Sequence, residues 1–334
     1  MKKYKRKSKS SSILFAAAVL LLMSAIGRAE KFNTTGTTGF VFLNLPVSAR
    51  FAGMGETGIT LENVGADGVF INPALIARIE NRNSVSLTYG SWYVDTNHQG
   101  AAYVHKFPML GSLGVMVNFF DFGTMARTRT IAPDEVNALN PGDNNVYLNL
   151  GSYSAGALAA GISYGRYLTK DFSFGANLKY VRESIDAYYA DNFLLDLGFI
   201  YNTGVGPLRV GAFLKNFGLE TEYENESFKM PQRLVLGISG EILGSLQDPT
   251  YVTLLAEAVH PNDAAEHIHV GLEARLFNLL ILRGGYKFGY DHENLAVGMG
   301  ARFVYHARAF RFDLSYMNHK YLEHTLRYTL SMEL

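Results

Sequence analysis

The chain has no cysteine in 334 residues, one tryptophan and only nine prolines. Without cysteine there is no disulfide to brace an exported fold and no thiolate for catalysis or metal binding. Long apolar runs are scarce too. After Met23 no stretch approaches the roughly 20 apolar residues that a membrane-spanning helix needs. The sequence also lacks a G-x-S-x-G elbow, a Walker loop, a dinucleotide fingerprint after a strand and an H-E-x-x-H zinc pattern. Gly53-Met-Gly-Glu-Thr-Gly58 has glycine spacing without the strand–helix unit that a phosphate cradle requires. These absences argue against an enzyme, and no cofactor is expected.

Charge of one sign is missing as well: 30 basic residues balance 30 acidic ones. The balance hides an asymmetry. Residues 1–29 carry seven Lys or Arg and no acid, with an unbroken apolar run from Ile13 to Met23 and small residues at Gly27 and Ala29. That is the pattern of a secretory signal peptide cut after Ala29. The remaining chain has 23 basic against 30 acidic residues, a net charge of −7. Such a chain is a poor nucleic-acid binder, because phosphate neutralisation dominates that affinity.

What is present is glycine (33 residues), tyrosine (20) and phenylalanine (22), arranged in alternation. Phe172, Phe174, Ala176, Leu178 and Tyr180 share one face of a segment; Ser173, Gly175, Asn177 and Lys179 share the other. Near the end, Phe310, Phe312, Leu314 and Tyr316 oppose Arg311, Asp313 and Ser315. Side chains alternate faces along a strand, so each segment has an oily side and a polar side. About fourteen such segments run from 83–92 to 323–333. Most match the roughly 9–11 residues of a membrane-crossing strand, and they are longer than the usual ~5–6 of a soluble sandwich. Short links ("PML" at 108–110, "TK" at 169–170, Asn278) follow even-numbered segments, and the longest links, 124–153 and 217–230, follow odd-numbered ones. These features predict an all-β fold, a transmembrane antiparallel barrel of about 14 strands over 83–334, bathed by outer-membrane lipid.

Residues 30–82 do not alternate. They are read as a plug or hatch that enters the lumen, against the alternative of a periplasmic or unstructured extension. Asn72-Pro73-Ala74 is a compact breaker, since Pro73 fixes its own φ and pushes Asn72 toward an extended shape. It would reverse the plug and hand the chain to the first strand, or simply start a helix; the two are compatible.

Charges facing lipid cost up to roughly 2–4 kcal/mol at mid-depth, so alternation assigns them to the lumen. The basic set is Lys179, Arg209, Lys215, Arg275, Arg283, Lys287, Arg302, Arg311 and Arg327. The acidic set is Asp196, Glu257, Glu273 and Asp313. They predict either a salt-bridged interior that steadies barrel and plug or an anion-preferring path; so many charges disfavour an oily tunnel unless the plug lines its own apolar pocket. His267 and His269 share a face with Glu273, which is read as a polar wall rather than a metal site. The longest link, with Arg127, Arg129, Asp134 and Glu135, is the candidate partner-binding loop. The acidic stretch with Glu220, Glu222, Glu224 and Glu226 is a second one.

"LPVSARFAGMGETGIT", with Ser48, Arg50, Gly53 and Gly55, followed by "GADGVFINPALIA", resembles the N-terminal signature of the PorV/PorQ family. That family is related in architecture to FadL-type outer-membrane transport proteins. The resemblance implies a fourteen-stranded outer-membrane barrel with an N-terminal hatch in a Gram-negative cell. It further implies a part in type IX secretion, with secretion proteins or exported cargo as partners. The related FadL-type members instead imply transport of hydrophobic small molecules such as long-chain fatty acids. One feature departs from such barrels: they commonly end in an aromatic residue, and this chain ends in Leu334.

Overall fold

In the computed structural model, fourteen antiparallel strands close into a single barrel. The structure describes residues 36–334 except 133, 134, 136–138, 140–145, 225, 292, 307 and 323. The expected signal peptide at 1–29 and Asp134 of the expected partner loop lie outside the described residues. In chain order the strands are β1 (Asn83–Ser91), β2 (Asn97–Phe107), β3 (Gly111–Thr130), β4 (Tyr147–Tyr167), β5 (Phe172–Ile185), β6 (Tyr188–Asn202) and β7 (Arg209–Phe217). A small hairpin, β8 (Thr221–Tyr223) and β9 (Glu226–Phe228), stands apart from the barrel. The barrel resumes with β10 (Arg233–Leu243), β11 (Tyr251–Pro261), β12 (His267–Leu276), β13 (Leu280–Phe288), β14 (Leu295–Tyr305), β15 (Arg308–Met317) and β16 (Thr325–Glu333).

Closure is made by β1 and β16, paired from Ser84↔Glu333 to Ser91↔Leu326. Asn83 and Leu334 then exchange backbone hydrogen bonds at 2.9 and 2.8 Å. An even strand number brings the two ends together, and closure leaves no barrel edge unpaired in lipid. The predicted alternation is seen on both faces. On β15, Phe312 is 46% exposed and Asp313 is fully buried; on β13, Leu282 and Tyr286 face out while Arg283 and Lys287 are buried.

Two regions depart from the sequence reading. The expected loop at 124–153 is mostly strand: β3 and β4 run 20 and 21 residues and stay paired out to Thr130↔Tyr147. At roughly 3.4 Å per residue this ribbon is far longer than a ~30 Å hydrocarbon layer requires, so its tip projects beyond the membrane. Arg127 and Arg129 therefore sit on β3 and not in a loop. The β5–β6 link is also short, residues 186–187 only, although it follows an odd-numbered strand.

The segment before β1 fills the lumen with short helical turns. They span Val41–Asn44, Ala49–Ala52, Gly65–Asp67, Gly68–Ile71 and Pro73–Arg78. Its own apolar core joins Phe51, Met54, Leu61, Val64, Ala74 and Leu75 to Ile200 and Leu255 of the wall. Asn72 is extended (φ −167°) and caps the last turn by accepting from the Ala74 amide at 3.0 Å, with Pro73 at the first helical position. Its amide donates to the Ile59 carbonyl at 2.8 Å. The Asn-Pro pair thus both starts a helical turn and ties two passes of the hatch together.

Candidate functional site

The lumen is divided between two kinds of chemistry. On one side the hatch is fastened to the wall by alternating charges. Arg50, on the turn capped by Ser48, donates two bonds to Glu273 of β12 at 2.8 and 2.7 Å. Glu273 also accepts from Arg283 of β13 at 2.8 Å. Arg283 meets Asp313 of β15 at 2.8 Å, Asp313 meets Arg311 at 2.7 Å, and Arg311 returns to hatch Asp67 at 3.0 Å. Asp67 is further held by Ser48 at 3.1 Å and by Ser86 of β1. Three cations alternate with three anions, all buried. Bidentate Arg–carboxylate geometry adds direction to the pairing. Such a chain is costly to break, because removing one member leaves a buried charge without its partner.

Three smaller anchors surround it. Hatch Arg78 pairs with hatch Glu62 and donates to Asn202 at 2.7 Å. Lys287 donates to hatch Glu56 at 2.7 Å and contacts Glu293 at 3.3 Å. Burial pushes the Glu56 carboxyl up, but nearby positive charge, led by Lys287, outweighs it and holds the group at about 2. Glu257 on β11 accepts from the hatch amides of Gly58 and Ile59 at 2.6 and 2.9 Å.

Close approach of hatch to wall depends on strand glycines. A Cβ on Gly198 of β6 would lie 1.8 Å from Asn72 Oδ1, and one on Gly285 of β13 would lie 2.0 Å from the Met54 carbonyl carbon. Only glycine lets a second backbone lie that near. Gly53 packs on Gly298 of β14, and Gly55 (φ 67°) on Gly285.

The other side is apolar. Phe40, Phe42 and Leu43 of the hatch pack on Phe120, Ala157, Ala159, Val181, Ala190 and Leu194 of β3 to β6. Below them a cavity of about 30 Å³ is lined by Leu43, Val47, Phe70, Met116 and Ala159, with Lys179, Asp196 and Lys215 at its polar edge. It adjoins a second cavity of about 50 Å³, with which it shares Val47, Phe70 and Lys215.

The sequence-assigned lumen charges divide accordingly. Glu273, Arg283, Arg311 and Asp313 form the network with Arg50; Lys179 pairs with Asp196, and Arg209 with Glu241, both at 2.7 Å. Four of the expected network residues do not belong to one. Glu257 binds hatch amides. Arg327 is buried over the Trp92 ring at 5.3 Å, and Arg275 lies 5.7 Å from the Tyr251 ring. Arg302 stands directly opposite Arg311. Among the described residues these three arginines make no ion pair, because strand register puts no carboxylate opposite them. Arg127 pairs with Asp186 of the β5–β6 turn in an exposed contact, and Glu135 lies in the short stretch beyond the β3 tip. His269 meets Tyr290 at 3.2 Å and His267 stacks on the same ring. Asp67, Glu62 and Arg78 were not singled out from sequence; Asp67 lies within a quoted stretch, but nothing local to it marks Arg311, 244 positions away.

A closed fourteen-stranded antiparallel barrel with a hatch in its lumen is the architecture of the FadL-like outer-membrane barrels. No protein-family model and no curated protein matches the sequence. Solved structures match the fold. The chain is similar to the toluene transporter TodX of Pseudomonas putida (TM-score 0.59, 14% identity, 86% of this chain and 98% of that one). It is likewise similar to the toluene transporter TbuX of Ralstonia pickettii (0.56, 14%, 87% and 99%). The CymD monoaromatic hydrocarbon channel aligns with a TM-score of 0.55 at 14% identity, over 88% and 98%.

Proposed function

We propose that the protein is a non-enzymatic outer-membrane channel that passes small, largely apolar molecules inward between its hatch and its β3–β6 wall. The observation that carries this reading is the continuity of the apolar side. The cluster around Phe40, Leu43 and Leu194 shares Leu43 and Ala159 with the first cavity. The largest charge network does not oppose it, because Arg50, Glu273, Arg283, Asp313, Arg311 and Asp67 are paired with one another against β12, β13 and β15. The solved neighbours described as hydrocarbon transporters and channels support the same reading. Proteoliposomes containing the mature protein are expected to take up labelled toluene faster than empty ones, saturably. Uptake equal to that of protein-free liposomes would remove the proposal.

The secretion reading has one observation in its favour, the resemblance of the N-terminal stretch. In the structure, however, Arg50, Gly53, Gly55 and Asn72 seat the hatch in the wall, a task any plugged barrel shares. The projecting β3–β4 ribbon is where a protein partner would bind. Affinity capture from native membranes with and without its tip, residues 125–152, separates the two: secretion proteins lost with the tip favour that role.

A further inference from the structure

Between β7 and β10 the chain leaves the wall as the hairpin β8–β9, at the same end of the barrel as the β3–β4 tip. An isolated two-stranded hairpin is marginally stable at best, so its position is set by what it touches. The hairpin is two-sided. Glu220, Glu222, Glu224 and Glu226 are exposed, whereas Tyr223 and Phe228 are half-buried against the apolar cluster of Phe40, Leu194 and Met230. The Phe40 and Phe228 ring centroids lie 5.8 Å apart.

Both ends of the hairpin are pinned. On entry, Asn192 of β6 donates to the Leu219 carbonyl at 2.8 Å. On exit, Asn262 donates to the Met230 carbonyl and Asn216 to the Pro231 carbonyl, each at 3.0 Å. Between those ends the hairpin is clasped to the hatch. Thr38 is bridged to Lys229, and the Gly39 amide donates to the Lys229 carbonyl at 3.1 Å. The fit is close: a Cβ on Gly39 would lie 2.1 Å from the Phe228 ring. Phe40, directly after the clasp, is held at φ 51°, a left-handed conformation that is costly for a bulky residue and persists only where its surroundings impose it.

We propose that the β8–β9 hairpin is a lid over the apolar side, and that the clasp at Thr38 and Gly39 makes the lid and the leading end of the hatch move together. Closed, its Phe228 and the following Met230 cover Phe40 and Leu194. Lifted about its two pinned ends, it draws the stretch from Thr38 to Leu43 away from β3–β6 and relieves the backbone at Phe40. Pinned ends with movable material between them are the usual anatomy of such closures. The proposal rests on the channel reading for what passes beneath the lid, and adds the gate.

The test uses the full mature protein in proteoliposomes. The chain has no cysteine, so an introduced pair reports alone. Bridge partners stand about 5 Å apart, within reach of a disulfide. Thr38→Cys combined with Lys229→Cys is expected to cross-link on oxidation and to cut toluene uptake about tenfold. Reductant should restore uptake, and each single variant should behave as the wild type. Phe228→Ala should act in the opposite sense, raising uptake several-fold at unchanged planar-bilayer conductance, because the charged side still holds the hatch. A readout that needs no transport is Ala190→Cys, buried in the apolar cluster. Its labelling by a maleimide should be about tenfold faster with Phe228→Ala than without it. The proposal is overturned if the pair fails to cross-link in the folded protein, or if the cross-link leaves uptake unchanged. It is equally overturned if Phe228→Ala raises conductance along with uptake, or leaves the labelling rate as it was. Absence of toluene uptake from every variant, with labelling still accelerated, removes the channel and keeps the lid.

Discussion

The two sides of the lumen hold the same hatch by different means. Toward β12–β16 and β1, grip comes from the chain Arg50–Glu273–Arg283–Asp313–Arg311–Asp67 and from short polar side chains such as Ser86. Toward β3–β6 it comes from Phe40, Phe42 and Leu43 against alanines and Leu194, with the 30 Å³ cavity beside Leu43 and Ala159. Buried ion pairs are directional and fail abruptly when one member leaves. Apolar contacts are non-directional and let a surface slide. A plug fixed on one side and greased on the other has an obvious place to yield, and the proposed channel uses that side.

The contrast is broken most severely by removing a fastening. Arg50→Met should cost about 3–5 kcal/mol, the usual penalty for stripping one partner from a buried pair. Thermal unfolding in detergent would show it, and the freed hatch should raise the conductance of planar bilayers. A smaller loss, about 1–3 kcal/mol or somewhat more, is expected for Gly198→Val, which drives a side chain into Asn72. Gly284, with nothing within 4 Å of a built Cβ, is the control: Gly284→Ala should leave the midpoint unchanged.

Acid should act on one anchor at a time. The Glu56 carboxyl is held at about 2, below its ordinary 4.5. Its contribution is therefore complete above the ordinary carboxylate range and is lost as pH falls from there through about 2. The single tryptophan, Trp92, packs on Tyr93, which reaches Glu293 beside Lys287. Its fluorescence should change over that interval, and Glu56→Gln should diminish the change. The smallest effect on stability belongs to the apolar side. Ala159→Val partly fills the 30 Å³ cavity and should shift stability by no more than about 1 kcal/mol, while toluene uptake falls several-fold. Equal loss of uptake and stability would erase the distinction between the sides.

The barrel was legible in the sequence because lipid imposes a period of two on every strand. Thus β15, Arg308–Met317, and β5, Phe172–Ile185, contain the alternating stretches from Phe310 to Tyr316 and from Phe172 to Tyr180. Where the strand leaves lipid the constraint lapses. Residues 126–130 are exposed on both faces, so the β3–β4 ribbon read as a loop. The direction of each lumen charge was legible, but not its partner. Arg50 and Glu273 are 223 positions apart, and the hatch has no periodicity from which to project a register. The wall glycines were visible as composition, yet their role as seats for the hatch depends on that same pairing.

Hydrogen exchange, followed by mass spectrometry on the mature protein in nanodiscs, compares the two sides directly. Amides of 40–47, on the apolar side, are expected to exchange at least tenfold faster than those of 49–67, and toluene should alter only the former. Equal protection of both stretches, or faster exchange in 49–67, would contradict a hatch fastened on one side and free to yield on the other.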